Sequence, residues 1–556
     1  EISDKYIASK VPSKSGGLKT QRNAIEKLNK SKIFSSNKLM ILFTLQFLLF
    51  IAFCSKQNPF MGIDDLEKRI KVMTDLVDEY TIDGKVVVNY TDELGIFATA
   101  TKNLSSKEGT FRIPARAVMH VYDEYPFKET LLDILSNIQE TKNSLNPQRS
   151  EFYISTVLMT IRLLININVD RKVLDKKFPK YKDIQMYIED CELCKQYIET
   201  LPSSKNLDHP NMYDQEDIEF FHSITYSRLN YRNIPNFYNE LTKALKASKN
   251  PEAKFILEEI VFNLKQYTWA YNMVNTRCFM LKLAKYEKMY GTNPGTRYNQ
   301  KQNSRLLKDH NNALLPVMDY MNMIVPQKGK NNDEKEIRRF YLTAEPNGVV
   351  LKVSGTFSPD EEYGFAYSTH FQCASLISTY GFAVKDGLDE SLYIQIKNEI
   401  PEENFGLCKS IQCVDNSMNL ENMKSFSYIL SYLQADEQEE KLLMMYRIKI
   451  FKFPNNDSSL RKGEFTKMIA QVIEANINEH GYIAINNEVL AVLDLIQDLE
   501  AKLKEKPIKP PKDLESLPYR KKIAWYCSID QHEILIKIIS NLHGRLATLI
   551  EKETME

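Results

Sequence analysis

The amino-acid sequence predicts an α+β fold, in which a small β-rich part is split by a helical insertion and followed by an all-α C-terminal part. Two stretches rich in β-branched and aromatic residues, 84–121 and 339–383, lie more than 200 residues apart. The chain between and after them has apolar residues mostly at helical spacing. Glycine is scarce, at 18 of 556 residues, which favours a helix-rich protein with a modest amount of sheet.

Length and charge narrow the possible classes of protein. A chain of 556 residues is long enough for roughly two or three domains with large hydrophobic cores. The 73 basic residues balance the 73 acidic ones. The overall charge therefore gives no reason to expect nucleic acid as a partner.

Residues 1–60 are predicted to form a leader around the apolar run "MILFTLQFLLFIAFC" at 40–54. The run is shorter than the roughly 20 residues that span a bilayer as a helix. It matches the hydrophobic region of a signal peptide, especially if translation begins at Met40. The alternatives are a short membrane anchor and a spurious upstream extension in a gene prediction. We expect secretory entry or membrane attachment if 40–54 is a real signal, and a cytoplasmic protein otherwise.

The first element after the leader is a helix, because apolar residues recur at helical spacing through "MGIDDLEKRIKVMTDLVDEY". The β-rich stretch 84–121 follows, with glycine and proline as turn signals between short strands. The insertion, at about 122–262, returns to helical periodicity. Its clearest amphipathic face consists of Ile154, Val157, Leu158, Ile161, Leu164 and Ile165.

The second β-rich stretch, 339–383, is predicted to join the first in one small sheet. Helical periodicity then resumes, and a proline- and lysine-rich connection at 504–518 separates the last two helices. We divide the chain after the leader into a β-rich domain at 61–388 and a helical domain at 389–556. The second-last helix is predicted to bury the face Val489, Val492, Leu493, Ile496 and Leu499.

Cysteine usage predicts neither a disulfide scaffold nor a metal site. Eight cysteines are too few for a scaffold in a chain of this length. Cys191 and Cys194 form a CxxC, and Cys408 and Cys413 lie more than 200 residues further on. Four thiolates could hold zinc, but the spacing of the second pair is loose. We expect structural or incidental roles for these cysteines and no bound metal.

Several short motifs follow one another in a recognisable order. Together they resemble the SET-domain protein methyltransferases of the Rubisco large-subunit methyltransferase type, over about residues 63–545. In that family a helical insertion splits the SET domain, and a helical substrate-binding domain follows it. The motifs are "ELGIFATATKNLSSKEGTFRIP" (93–114), "WAYNMVNTRCF" (269–279), "LLPVMDYMNM" (314–323), "PDEEYGFAYSTHFQCASLISTYGF" (359–382), "EEKLLMMYRIKIF" (439–451), "NNEVLAVLDLI" (486–496) and "RKKIAWYCSIDQHEILIKII" (520–539).

The resemblance implies an S-adenosylmethionine-dependent protein N-methyltransferase that modifies a lysine, or a histidine, of a protein substrate. Tyr367 and Tyr380 would be the catalytic tyrosines that flank the channel where the acceptor amine meets the methyl donor. The protein substrate would dock on the C-terminal helices of a monomer. Cofactor contacts would come from Asp92, Glu93, Leu94, Asn322, Met323 and Tyr380. Substrate contacts would come from Arg277, Asp319 and Tyr367.

The sequence also departs from the family pattern. Met323 stands in place of a histidine, and its thioether cannot donate a hydrogen bond. Cys373 replaces an asparagine between the tyrosines, and Gly95 is the only glycine left in the cofactor turn. These departures favour an alternative, a catalytically degenerate SET-like protein that serves as a protein-binding scaffold. We interpret His370, close to the tyrosines in sequence, as a surface or core residue.

Overall fold

The computed structural model describes residues 60–91, 95–105, 108–138, 147–184, 186, 192–204, 207–229, 233–281, 285, 288–289, 312–324, 338–367, 373–384, 391–396, 400–401, 404–411, 426–431, 435–452 and 462–555. Met61–Glu556 forms one compact unit. The apolar run at 40–54, and with it the predicted leader, lies outside the described residues. Of the helices that are described, none is both long and apolar enough to cross a bilayer.

Helices dominate the described part of the chain. Those that precede the second β-rich stretch are α1 (Leu66–Tyr80), α2 (Lys128–Asn137), α3 (Pro147–Asn168), α4 (Arg171–Lys177), α5 (Glu192–Thr200), α6 (Gln215–Ile224), α7 (Ile234–Ala247), α8 (Pro251–Phe255) and α9 (Leu264–Arg277). Those that follow are α10 (Cys373–Tyr380), α11 (Phe405–Ser410), α12 (Ala435–Ile450), α13 (Lys462–His480), α14 (Ile485–Glu505) and α15 (Tyr519–Met555).

The strands form small antiparallel sheets. They are β1 (Val86–Thr91), β2 (Gly95–Ala100), β3 (Phe111–Pro114), β4 (Met119–His120), β5 (Cys278–Met280), β6 (Asn312–Leu314), β7 (Phe340–Glu345), β8 (Gly348–Val353), β9 (Ser391–Ile396) and β10 (Phe426–Ser431). β1 pairs with β2, and β9 with β10. β8 lies between β3 and β7, and β6 lies between β4 and β5. Small sheets beside many helices confirm the predicted α+β class.

The two β-rich stretches meet in one sheet, as the sequence predicts. β3 from the first stretch pairs with β8 from the second, so that Phe111 lies opposite Leu351 and Pro114 opposite Gly348. Gly348 permits this close approach, because a Cβ there would lie 2.6 Å from the carbonyl oxygen of Ile113. The helices α2 to α9 therefore lie, in the sequence, between two strands of the same sheet.

The core of the helical segment is formed by α3 and α9, which pack against each other. The predicted apolar face of α3 is buried, with every one of its members at most 4% exposed. On α9, Trp269 is completely buried, and its Nε1 donates a hydrogen bond to the carbonyl oxygen of Pro202 at 2.9 Å. This bond ties the chain after α5 to α9, and both segments reach the cavity described below.

The structure corrects the interpretation of 339–383 as a continuous β-rich stretch. Its first part forms β7 and β8, but its last part forms the helix α10. Cys373, Ala374, Leu376 and Ile377 are buried at helical spacing. The helix has only eight residues, which is too short for periodicity to distinguish it from a strand in one sequence.

The C-terminal region is mainly helical, as predicted, and contains the paired strands β9 and β10, which the sequence analysis did not predict. α14 ends at Glu505 and α15 begins at Tyr519, so the proline-rich segment 504–518 is the expected connection. Most of the predicted face of α14 is buried against α12 and α15, but Leu493 is 45% exposed and its assignment to the core was wrong. The domain boundary at 388–389 stays a prediction.

A buried ion network joins the C-terminal helices. The completely buried guanidinium of Arg447 donates to Glu488 through Nε at 2.6 Å and Nη2 at 2.8 Å. Arg545 donates to the same carboxylate through Nε at 2.7 Å. Glu488 is itself completely buried, and the partly exposed Glu440 of α12 also pairs with both arginines. Two carboxylates and two guanidinium groups therefore join α12, α14 and α15.

Candidate active site

A cavity of about 810 Å³ collects residues from distant segments of the chain. Its walls come from the loop after α5, the junction of α9 with β5, the turn after β6, β7, the chain at 365–367, the end of α10 and the start of α15. Its volume lies within the range of roughly 300–1,000 Å³ typical of small-molecule sites. The predicted site residues that line it are Arg277, Asp319, Asn322, Tyr367 and Tyr380.

The two predicted catalytic tyrosines lie side by side in the cavity wall. Their ring centroids are 4.8 Å apart and the rings are inclined at 57°. Rings at this distance touch, so no side chain can pass between their faces. A substrate group in the cavity would approach Tyr367 and Tyr380 from the cavity side of the pair.

The hydroxyl of Tyr367 has a fixed orientation. It donates a hydrogen bond to the carbonyl oxygen of Met321 at 2.6 Å, so its oxygen presents only lone pairs to other groups. Burial, and then the neighbouring Tyr380, raise the pKa of Tyr367 above its ordinary value. The phenol is therefore neutral at physiological pH, and its oxygen is able to accept a hydrogen bond from another group.

Further aromatic rings surround this pair. The ring of Phe365 is tilted against those of Tyr367 and Phe340, with centroids 5.3 Å and 4.7 Å away, and the ring of Phe382 lies 6.0 Å from that of Tyr380. All of them line the cavity. The wall around the tyrosines is therefore largely apolar and aromatic, which lowers the local dielectric constant and strengthens electrostatic interactions inside the cavity.

An ion pair forms another part of the wall. Nη1 of Arg277 contacts Oδ2 of Asp319, which also accepts a hydrogen bond from the hydroxyl of Tyr197 at 3.2 Å. Burial opposes the charge on Arg277, but attraction to Asp319 raises its pKa overall. Nε of Arg277 and Oδ1 of Asp319 are buried and lack a hydrogen-bond partner among the described residues. The pair thus keeps one donor and one acceptor for a ligand.

A second arginine adds positive charge behind this pair. The Nε of Arg69, on α1, donates to the carbonyl oxygen of Thr200 at 2.9 Å. Burial, and then repulsion by Arg277, lower the pKa of Arg69 to about 10. Arg69 and Arg277 together carry one more positive charge than Asp319 neutralises, so this side of the cavity has a net positive charge.

The backbone at Asn322 and Met323 runs beside the strand-like segment at Phe365. The amide of Phe365 donates to the carbonyl of Asn322 at 3.4 Å, and the amide of Ile324 donates to the carbonyl of Phe365 at 3.2 Å. Gly364 makes this approach possible, because a Cβ there would lie 2.3 Å from the Asn322 oxygen. In a parallel bridge of this kind, the N–H and C=O of Met323 point away from Phe365.

The side chains at these positions differ in character. Asn322 lines the cavity and hydrogen-bonds to the carboxyl group of Glu362, a residue that forms a bridge with Thr99 of β2. Burial raises the pKa of Glu362, and its Oε1 has no partner among the described residues. Met323 instead packs against a small apolar cluster that includes Leu376.

Tyr380 is held in place by the end of α10. Gly381 has a φ of +83°, and its amide donates to the carbonyl of Ile377 at 2.9 Å, which ends the helix. A Cβ at Gly381 would lie 1.7 Å from the carbonyl oxygen of Asp208. The side chain of Asn275, on α9, donates to the carbonyl of Thr379 at 3.4 Å. Both contacts fix α10 against the opposite wall.

Some predicted residues cannot be placed. The residues that lie outside the described part are Asp92, Glu93, Leu94 and His370. One member of each cysteine pair lies there too, Cys191 of the CxxC and Cys413 of the second pair. In the part of the chain that is described, no group of three histidine, cysteine or acidic side chains could hold a metal ion.

Other features of the site were missed by the sequence analysis. Glu362 was quoted within a motif but received no role, although its carboxyl group lies beside Asn322. Cys373 forms a disulfide with Cys527 across 154 residues, and no pattern in one sequence predicts such a pairing. Tyr519 lines the cavity from α15, and only the tertiary structure brings it there.

No protein-family model matches the chain, and no curated protein sequence matches it. Among solved structures, one described as "Structure of Rubisco LSMT bound to AdoMet" is 15% identical, with 86% of this chain and 93% of that chain covered and a TM-score of 0.46. Another, described as the SET domain of LSMT bound to lysine and AdoHcy, is 14% identical, with coverages of 87% and 93% and a TM-score of 0.47. Likenesses at these scores do not define an activity.

Proposed function

We propose that this protein is an S-adenosylmethionine-dependent protein N-methyltransferase of the SET-domain type, acting on a lysine or a histidine side chain of a protein substrate. The observation that carries the proposal is the meeting of Tyr367, Tyr380, Arg277, Asp319 and Asn322 in one cavity. The sequence resemblance assigns these residues to catalysis, substrate binding and cofactor binding. They come from four separate chain segments, so their meeting does not follow from sequence proximity.

Tyr367 would orient the acceptor amine. Methyl transfer to nitrogen is an in-line displacement at carbon, so the nitrogen lone pair must point at the methyl group. Because Tyr367 donates its own proton to Met321, its oxygen can only accept an N–H of the amine. The nitrogen lone pair then stays available for the reaction. Tyr380 and Phe382 cover the neighbouring wall and exclude water.

The cavity also favours the neutral form of a lysine amine. A free lysine has a pKa of about 10.4 and is mostly protonated at neutral pH. Transfer into an aromatic-walled cavity penalises the charged form, and the positive balance of Arg69 and Arg277 over Asp319 adds like-charge repulsion. Both effects lower the pKa of an amine in the cavity, so the ammonium group can release its proton to solvent water before methyl transfer.

The residues around Asn322 fit the proposed cofactor. S-adenosylmethionine would supply an activated methyl group on a sulfonium cation. The orphaned Oε1 of Glu362 is a buried acceptor next to Asn322, suited to an ammonium or hydroxyl donor of the cofactor. Glu362 is bridged to β2 at Thr99, and the predicted cofactor turn at 92–94 directly precedes that strand.

We further propose that the protein substrate docks on the C-terminal helices of a monomer. Met468 and Val472 lie one turn apart on α13 and are 42% and 51% exposed. Apolar side chains exposed together on one helix face favour contact with another protein.

A scaffold without catalysis is the second candidate. Met323 occupies the position of a histidine in the family pattern and packs into an apolar cluster instead of offering a hydrogen bond. A site that has lost this side chain could retain its protein-binding surface while no longer binding the cofactor.

Calorimetric titration of the purified protein with S-adenosylmethionine separates the two candidates. We expect micromolar binding, and methyl transfer from labelled cofactor to proteins of a cell extract. Tyr367→Phe should abolish the transfer, because it removes the hydroxyl that would accept the amine N–H and that donates to Met321. It should leave cofactor binding unchanged, because the proposed cofactor contacts at Asn322 and Glu362 do not use this hydroxyl.

The matched control is Tyr341→Phe, on a tyrosine of β7 that is 52% exposed and does not line the cavity. It should transfer methyl groups like the unaltered protein. Absence of binding at millimolar cofactor would favour the scaffold, and normal transfer by Tyr367→Phe would refute the role given to that residue.

A further inference from the structure

The cavity has a wall residue from the C-terminal helix. Tyr519, the first residue of α15, lines it and is 46% exposed. Met280, at the end of β5, lines it as well and is 64% exposed. Side chains that both line a cavity and face solvent mark its mouth. The mouth is therefore built from two parts of the chain, one of them the long C-terminal helix.

The start of α15 is fixed by ion pairs at the same mouth. Arg520 donates to Asp208 at 2.5 Å and to Asp217 at 2.7 Å, and its guanidinium lies 4.5 Å from the ring centroid of Tyr213. Asp208 itself lines the cavity. Burial, and then the charge of Asp208, raise the pKa of Tyr519 to about 12. The position of Tyr519 thus depends on how α15 is anchored beside Asp208.

A covalent bond provides the stronger anchor. Cys527, on α15, is disulfide-bonded to Cys373, the first residue of α10, with their Cα atoms 5.6 Å apart. The ion pairs of Arg520 are partly exposed, and such pairs hold a geometry only weakly. The disulfide is buried within an apolar cluster and constrains the two helices directly.

The positions of the two cysteines relate this bond to the cavity. α10 runs seven residues from Cys373 to Tyr380, and α15 places Tyr519 eight residues before Cys527. At a rise of about 1.5 Å per residue, the disulfide lies roughly 10–12 Å along each helix from the residue that lines the cavity. One crosslink therefore joins the two helices that carry Tyr380 and Tyr519.

We propose that Tyr519 is the specificity-determining residue of the cavity mouth and limits the size of the side chain that enters, with its position fixed by the Cys373–Cys527 disulfide. Removing the ring opens the mouth on the side of α15. Removing the disulfide lets α15 and α10 separate, which opens the same mouth while leaving the ring in place. That a substrate side chain enters the cavity rests on the proposed function, whereas the control of access by Tyr519 and the disulfide does not.

Cys278 provides a direct readout of access. Its thiol is reduced, and it lines the cavity. We would measure the rate at which a bulky maleimide alkylates Cys278 in the full-length protein, by mass spectrometry of the peptide. Tyr519→Ala should accelerate alkylation about tenfold, the change expected when a local opening that costs about 1.4 kcal/mol is no longer needed. Tyr519→Phe, which keeps the ring, should react like the unaltered protein.

A second variant and an internal control complete the test. Cys373→Ala with Cys527→Ala should also accelerate alkylation of Cys278. Cys194, a reduced cysteine that is completely buried away from the cavity, reports on general unfolding and should keep its rate. Unchanged alkylation of Cys278 in Tyr519→Ala, or equal acceleration at Cys194, would overturn the proposal. Neither outcome depends on whether the protein binds S-adenosylmethionine.

Discussion

Substitution of Gly381 by alanine should displace Tyr380 and destabilise the protein. The backbone at Gly381 has a φ of +83°, where a side chain costs about 1–2 kcal/mol. The new Cβ would also lie 1.7 Å from the carbonyl oxygen of Asp208. That oxygen belongs to the backbone and cannot rotate away, so α10 or the 208 loop must shift by more than 1 Å to reach the closest contact real Cβ atoms show, 3.0 Å.

Overpacking of this kind costs roughly 1–3 kcal/mol. Added to the backbone strain, it predicts a loss of about 2–5 kcal/mol in the free energy of unfolding for Gly381→Ala. The assay is urea unfolding followed by far-UV circular dichroism. The same variant should show altered alkylation of Cys278, because Tyr380 and Phe382 on either side of Gly381 line the cavity with it.

Gly481→Ala is the matched control. Gly481 has a φ of +79°, close to that of Gly381, but a Cβ there would have nothing within 4 Å. Gly481→Ala should lower the free energy of unfolding only by the cost of backbone strain, about 1–2 kcal/mol. It should leave the alkylation rate of Cys278 unchanged. Equal losses for Gly381→Ala and Gly481→Ala would refute the reasoning, since the contact with Asp208 would then contribute nothing.

Two further predictions concern stability. Glu488→Gln should lower the free energy of unfolding by about 2–3 kcal/mol in urea, because Arg447 and Arg545 lose their charged partner at Glu488 and keep only the partly exposed Glu440. Glu500→Gln, at a partly exposed carboxylate, should cost less than about 1 kcal/mol. A loss for Glu500→Gln as large as that for Glu488→Gln would contradict this account. Burial lowers the pKa of His120 from 6.5 to about 4. Between these two pH values the unfolded chain binds a proton at His120 and the folded chain does not. The free energy of unfolding should therefore fall by about 3 kcal/mol as the pH is lowered from 6.5 towards 4. Urea midpoints measured across this range should fall less steeply for His120→Gln, and an unchanged slope would show that His120 is not responsible.

The sequence predicts the layout of the fold better than its details. Alternating β-branched residues and turn signals are local properties, so the β-rich stretches and the buried face of α3 could be predicted. The helix α10 could not, because its eight residues give too few turns for a period to emerge. Leu493 fits the apolar spacing of α14 but is 45% exposed, since a spacing pattern does not say how wide a face the neighbouring helices cover.

Site residues could be predicted from the sequence only where they stand in a recognisable motif. Tyr367, Tyr380 and Asn322 stand in recognisable motifs, and the structure brings them to one cavity. Glu362 and Tyr519 become candidates only through contacts across the fold. Glu362 becomes a candidate because its carboxyl group hydrogen-bonds to Asn322. Tyr519 becomes one because α15 is anchored beside Asp208, which lines the cavity.

The pairing of β3 with β8 has a consequence for biosynthesis. Phe111 finds its partner Leu351 only after the ribosome has translated the intervening helices. At about 5–20 residues per second, roughly 240 residues take some 10–50 s. Until then the apolar edge of β3 stays without its neighbour, because contacts between distant chain segments form late. We therefore expect the nascent chain to need chaperone protection during this interval, and the helical insertion to acquire its own core before the sheet closes.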